Sequence, residues 1–352
     1  MTRSAIVLLL AASLDYWIGD PWGWLHPVQV MGWLVSHLSQ WIIHNLYRPW
    51  KRRLAGIGLG LGLIIGSGVA GWVIVLGANW LHPWVGIGIE SILLASCLAG
   101  RSLRDAANDV VEPLTDGELE QARSRLSRYV GRDTEKLTAP EMLRAVLETV
   151  AENATDGVTA PLFYAIIGSF FPAVGSAPLA LAYKAASTLD SMIGYRREPY
   201  TDLGCFSAKL EDCLTWLPCR LTVITLALLS GKPRKVWSLC YRDGTKDPSP
   251  NSGWSECAYA AILGVQLGGT NWYQGVAKYK PLLGDPVDPI TPTKIDQGLQ
   301  LTRYCCLIWL VIAIALIESS QLFPSLYIWL IIKDDTRLFP MLPLDNILDF
   351  LP

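Results

Sequence analysis

The sequence is short of charge, of histidine and of paired cysteines, and each shortage removes a class of function. Only 17% of its 352 residues are charged, against roughly 25% in an average soluble domain. The net charge of -2 leaves no basic excess to suggest nucleic acid as a partner. Histidine occurs four times, at His26, His37, His44 and His82. Nothing beyond position 82 can therefore supply an imidazole to a zinc site or a Ser-His-Asp triad. The eight cysteines include no CxxC pair, which argues against a zinc cluster or a thioredoxin-like centre. Several sit in apolar runs, where they read as small buried hydrophobes. No GxxxxGK[ST] occurs, so a nucleotide would have to bind without a P-loop.

What the sequence has instead is hydrocarbon and aromatic rings. The hydrophobic fraction is 51%, with 15 Trp and 13 Tyr, residues that collect at membrane–water interfaces. Residues 4–14 follow Arg3 and resemble a secretory leader, but the polar motif directly after them reads as part of the working protein. Leu54–Trp80 is uncharged and Gly-rich, and lies behind Arg48, Lys51, Arg52 and Arg53. At ~1.5 Å per residue it exceeds the ~30 Å hydrocarbon core. Trp84–Gly100, with Glu90 as its only acid, follows the His82-Pro83 turn. The two form a hairpin with Trp80 and Trp84 at one interface and both outer ends on the basic, cytoplasmic side.

Residues 101–148 are polar and helix-rich, a cytoplasmic helical segment. Val158–Ala182 is apolar but broken by Pro161, Pro172, Gly175 and Pro178, which suits a kinked or re-entrant path. A re-entrant path keeps Lys184, Arg196, Arg197 and Lys209 cytoplasmic. Pro218 and Arg220 weaken Leu214–Ser230 as a simple span; Cys305–Ile317 is the last strong one, followed by an apolar patch at Leu326–Ile332. The expectation is an all-α polytopic membrane protein. Residues 1–352 form one integral membrane domain with four or five membrane helices and cytoplasmic helical loops.

Four polar segments could carry chemistry. In the first, Glu148, Glu152 and Asp156 are spaced i, i+4, i+8 and share one helix face. Like charges at that spacing are unfavourable, and Asp156 precedes Gly157, a natural helix stop where the dipole adds to the cost. A sequence accepting both penalties beside a hydrophobic run points to a cation. Mg²⁺ fits, with Glu152 and Asp156 as ligands; the competing reading is a solvated acidic face with Arg144 pairing Glu148.

In the second segment, Lys184, Thr188 and Ser191 line one face, suited to phosphate or carboxylate oxygens. Asp190 is available as a base or second metal ligand, and Arg196 and Arg197 add anion-binding capacity; the alternative is an interfacial helix with snorkelling cations. The third, Asp247–Glu256, holds Asn251 and Ser252, which could equally cap the helix that follows; Gly268-Gly269 then marks a turn or a close backbone approach. The fourth, Asp15–Gly32, places Asp20 and His26 in a Gly/Pro-rich turn at the membrane edge, where acids are costly and usually functional.

Four strings carry a family resemblance: GDPWGWLHPVQVMG at 19–32, ETVAENATDGVTAPLFYAIIG at 148–168, YKAASTLDSMIGY at 183–195 and SPNSGWSECAYAAILGVQLGG at 249–269. In order and length the chain resembles the CobD/CbiB family of cobalamin biosynthesis, adenosylcobinamide-phosphate synthase. It departs from the family pattern at Ala154, Ser187, Lys209, Glu211 and Thr215. The resemblance implies a membrane-embedded, ATP-dependent amide ligase that joins a propionate of adenosylcobyric acid to aminopropanol or its O-phosphate. It implies ATP and Mg²⁺ as cofactors, the lipid bilayer as setting, and association with other corrinoid-pathway enzymes. Glu152 and Asp156 would hold Mg²⁺, and Lys184 and Arg196 would stabilise the transferred phosphoryl group. Asp190 or Glu256 would act as base, while Asp20, His26, Asn251 and Ser252 would position substrate. A transporter for a corrinoid or amino alcohol, and a scaffold recruiting soluble enzymes, are the rival classes; the scaffold does not account for the carboxylate stripe, and against the transporter no half-to-half repeat is visible and the polar motifs gather in loops.

Overall fold

The computed structural model describes residues 1–19 and 26–338, with side chains as far as Ser320. Its helices are α1 (Arg3–Trp17), α2 (Pro27–Asn45), α3 (Pro49–Leu81), α4 (Pro83–Ala95), α5 (Gly100–Thr115), α6 (Leu119–Leu126) and α7 (Ala139–Asn153). A π-helical turn at Ala154–Thr159 leads into α8 (Ala160–Ser169), then α9 (Ser176–Ile193), α10 (Cys205–Leu229), α11 (Pro233–Asp243) and α12 (Ser252–Leu263). Strands β1 (Leu267–Tyr273) and β2 (Val276–Leu283) precede the long α13 (Pro292–Leu338). Proline opens α2, α3, α4 and α11, where its missing N–H leaves no bond unmade. A capping box starts α7: the Thr138 hydroxyl donates to Glu141 at 2.7 Å and the Thr138 N–H at 2.8 Å.

Among the described residues four segments are long and apolar enough to cross a membrane: Pro49–Leu81, Pro83–Thr115, Cys205–Leu229 and Pro292–Ser320. That is the lower of the two numbers the sequence suggests. The α3–α4 hairpin forms as expected, and Trp80 and Trp84 are 83% and 66% exposed at its turn. The α1 helix is no detachable leader, since Ala5, Val7, Leu8 and Ala11 are buried in the core. Residues 158–182 form the expected broken path, α8 and α9 packing together across a break at 170–175. Despite Pro218 and Arg220, α10 is continuous. The Arg220 guanidinium is satisfied inside the protein, donating to Asn251 Oδ1 at 3.0 Å and lying 4.6 Å from the Trp254 ring centroid.

The bundle has two unlike ends. At one, Thr2 donates to Glu318 at 2.6 Å, and Arg3 bridges Asn79 at 2.6 Å and Glu90 at 2.9 Å. The other oxygen of Glu90 accepts the Ser176 N–H at 2.8 Å, so the one acid of α4 is buried but paired. At the opposite end Asp15 accepts the Arg101 N–H at 3.4 Å, Arg52 reaches Glu198 at 3.5 Å and Arg53 reaches Asp202 at 2.7 Å. The chain approaches itself closely there: a Cβ on Gly56 would overlap the Leu203 carbonyl. Arg48, Lys51, Arg101, Arg104 and Arg303 also belong to this end by their places on α3, α5 and α13.

The all-α expectation holds for everything except one β-hairpin, β1 paired antiparallel with β2. The Gly268-Gly269 pair is the close approach read from the sequence. Both have positive φ, +85° and +96°, at a bulge in β1, and a Cβ on Gly268 would overlap the Pro281 carbonyl oxygen.

Candidate active site

The end of α7, the π turn, the last turns of α9, the start of α10 and the start of α12 converge on one group of acids. Asp156 lies in the field of Glu211, Glu152, Asp190 and Lys184. Glu152 lies in that of Lys280, Asp247, Glu148 and Arg132, and Glu256 in that of Lys280, Glu152 and Glu148. Arg196 and Asp190 each interact with Asp212. The structure therefore gathers Glu152, Asp156, Lys184, Asp190, Arg196 and Glu256, which come from three separate sequence segments. Glu152 keeps solvent access yet is hemmed in by protein, so it lines a hollow rather than a flat surface.

The π turn corrects one reading of the sequence. Gly157 does not stop the helix; the chain passes through a six-residue π-helical stretch and continues as α8. The Gly157 carbonyl accepts the Ala99 N–H at 2.9 Å, and a Cβ on Gly157 would stand 3.3 Å from the Ala99 Cβ. Glycine here admits the neighbouring chain rather than ending an element. π bulges inside helices occur frequently at functional sites.

Glu148 takes the structural role weighed against metal binding. It pairs with Arg132, lies 3.8 Å from Arg144 and accepts the Gly268 N–H at 2.8 Å. Arg132 and Arg144 also hold Asn271 Oδ1, at 2.9 and 3.1 Å, so Glu148 and the two guanidiniums fasten the hairpin to α7. Glu152 and Asp156 are the two members of the stripe left facing the hollow.

Through that anchor β2 delivers a cation that sequence reasoning missed. Lys280 Nζ is 2.6 Å from Glu256 Oε1 and 3.9 Å from Asp247 Oδ2. Glu256 is fully buried, and its Oε2, like Asp247 Oδ2, is a buried oxygen without a hydrogen-bond partner. Two such oxygens beside an acidic hollow fit a site that takes up a cation or a donor. Among the described residues no three His, Cys, Asp or Glu side chains converge as a ready ligand shell. A divalent ion would hold one or two carboxylates and complete its shell with water or substrate oxygens, which is how Mg²⁺ is usually bound.

Crowding sets the protonation of these groups. Burial raises the Asp156 carboxyl well above its ordinary range, and Glu211, Glu152 and Asp190 add to the effect. Burial pushes Asp190 up to about 6, helped by Asp212 and Glu152. Glu152 and Glu256 rise for the same reasons, with Lys280 opposing. Burial alone would lower the Lys280 ammonium, but Glu256, Glu152 and Asp247 around it raise it. A cation entering the hollow would relieve this repulsion.

Two polar assignments change character. The Thr188 and Ser191 hydroxyls donate to their own helix, to Lys184 O at 2.7 Å and Thr188 O at 3.0 Å, and do not form a row of free donors beside Lys184. Asn251 is the N-cap residue of α12, but its side chain makes no cap bond. It accepts from Arg220 at 3.0 Å and donates to Asp212 O at 2.9 Å, joining α10 to α12 behind the acids. Ser252 donates weakly to Asp247 at 3.4 Å. His26 is the N-cap residue of α2, which packs on α9 so that a Cβ on Gly32 would stand 3.6 Å from Met192 Sδ. Asp20 lies outside the described residues.

A family model described as CobD/Cbib protein matches residues 8–302. The chain is 56% identical to the cobalamin biosynthesis protein CobD of Synechocystis over 318 residues, 90% of this chain and 93% of that one. It is 40% identical to the protein of the same name from Halalkalibacterium halodurans, over 87% of this chain and 94% of that one. The cobalamin biosynthesis protein CbiB of Salmonella typhimurium is 39% identical, over 87% and 95% of the two chains. No solved structure matches.

Proposed function

The chain belongs to the CobD/CbiB family, and we propose that it is the membrane enzyme of cobalamin biosynthesis that joins a corrinoid carboxylate to an amino alcohol. In this reading the propionate of adenosylcobyric acid and aminopropanol, free or O-phosphorylated, become an amide at the expense of MgATP. The observation that carries the reading is the convergence of Glu152, Asp156, Asp190 and Glu256 with Lys184 and Lys280 at one hollow. That is the equipment of a site that must neutralise phosphates, activate a carboxylate and deprotonate an ammonium.

Glu152 and Asp156 would hold Mg²⁺, which would supply positive charge to the bound phosphates. A propionate oxygen attacks the γ-phosphorus; the O–P bond forms as the bond to ADP breaks, giving an acyl phosphate. Lys184 and Lys280 stabilise the charge on the phosphoryl oxygens, Lys280 moving from Glu256 to the anion. Asp190 or Glu256 takes a proton from the ammonium, since the nitrogen cannot attack while its lone pair is bound. The amine then attacks the acyl carbon, and phosphate leaves with the former carboxylate oxygen. Arg196 adds a cation beside Asp212, and the family resemblance would give Asp20, His26, Asn251 and Ser252 the task of positioning substrate. If the basic end of the bundle is cytoplasmic, as the bias of Lys and Arg favours, the site would open toward the inner face of the cell membrane, where ATP is available.

The test is purified protein in detergent with adenosylcobyric acid, aminopropanol phosphate and MgATP, the product read by mass spectrometry. The reading requires an amide that appears only when all three are present. Folded protein that binds the corrinoid but makes no amide would refute it and return the transporter and scaffold readings to the front.

A further inference from the structure

A second cavity, of about 490 Å³, lies between α1, α5 and α13, and none of the acids of the hollow lines it. Its two ends differ in chemistry. At one end the Tyr16 ring is flanked by two guanidiniums, Arg303 at 4.4 Å and Arg104 at 5.0 Å from its centroid. Among the described residues no carboxylate is within ion-pair distance of Arg303, and Arg104 has only Asp105 at 3.9 Å. Two acids also line the cavity. Asp15 accepts the Arg101 N–H at the start of α5, and Asp296 is exposed. The other end is hydrocarbon: Leu9, Leu307 and Leu310.

Leu9 precedes Tyr16 by seven positions and Leu310 follows Arg303 by seven, a separation of about 10 Å along each helix. The cavity thus runs from the basic end of the bundle toward the middle of the span on α13, within the ~15 Å depth of one leaflet. Leu9 and Leu307 are 39% and 47% exposed, so its apolar half opens sideways, onto the surface that lipid covers. A water-soluble phosphate would leave that half empty, and a corrin ring edged with amides would find no partners in it.

We propose that this cavity binds one anionic glycerophospholipid of the surrounding membrane. The phosphate is held by Arg104 and Arg303 at the edge of the Tyr16 ring, and the upper part of an acyl chain lies along Leu9, Leu307 and Leu310. Basic pockets between membrane helices on the cytoplasmic side recognise such headgroups, and guanidinium–phosphate pairs are the strong, directional form of the contact.

The test uses the full chain, delipidated in mild detergent and titrated with phosphatidylglycerol or phosphatidylcholine, with bound lipid counted by native mass spectrometry. One phosphatidylglycerol is expected to bind at least tenfold more tightly than phosphatidylcholine. Arg104→Ala with Arg303→Ala should abolish that preference, and Leu307→Trp, with both arginines intact, should weaken binding by closing the apolar mouth. Arg53→Ala, a cation paired elsewhere, should change nothing. Equal retention of the two lipids, unaltered binding in both cavity variants, or displacement of the lipid by inorganic phosphate would each overturn the assignment. Circular dichroism separates a lost site from a lost fold.

Discussion

At the scale of single residues, the site is defined by acids that the fold holds against their own repulsion. Asp156→Asn removes one of these charges and, in the proposed mechanism, one Mg²⁺ ligand. Turnover should fall ~100-fold or more, the scale on which losing one charge-stabilising partner acts. Thermal stability above pH 7 should not fall, because the amide relieves like-charge crowding. Loss of activity accompanied by loss of stability would instead mark Asp156 as structural. Asp190, held at about 6, acts as a base only when ionised. If it serves that role, kcat/KM rises with pH through a limb centred near that value, and Asp190→Asn flattens the limb. A limb unchanged in the variant passes the role to Glu256. Lys280→Ala tests the missed cation. It should lower kcat by ~100-fold with a smaller effect on KM, since Lys280 is paired with Glu256 before substrate arrives.

At the scale of elements, the helices and the α3–α4 hairpin were legible because length, proline and hydropathy are local properties. So was part of the acid cluster, since Glu152 and Asp156 sit four apart on one helix face. The β-hairpin was not. Its strands alternate weakly, and β2 exposes most of its residues on both faces; only the paired glycines before it gave a signal. Its Lys280 was illegible for the same reason, because a contact with Glu256 across 24 positions leaves no periodicity to read. The π turn was misread as a helix end because Gly157 was assigned a conformational role where it has a packing one. The hairpin can be tested as a unit. Gly268→Ala introduces a Cβ at φ +85° and against Pro281, at a cost of about 1–3 kcal/mol. It should loosen Lys280 and reduce activity more than it reduces the melting temperature. A variant with full activity would show that the hairpin does not serve the site.

At the scale of the molecule, the basic end of the bundle predicts a direction in the membrane. Trp84→Cys, at the α3–α4 turn, should react with a membrane-impermeant maleimide on intact cells. Glu118→Cys, between α5 and α6, should react only after permeabilisation; the opposite pattern would reverse the orientation. The central claim of the proposed function is that this hollow activates a carboxylate with ATP. The most direct measurement follows ¹⁸O from the labelled propionate of adenosylcobyric acid during amide formation. The account predicts one labelled oxygen in each orthophosphate released, because the carboxylate oxygen leaves with the phosphoryl group. Label in AMP would replace phosphoryl transfer with adenylyl transfer, and amide formed with no label in either product would contradict carboxylate activation at this site.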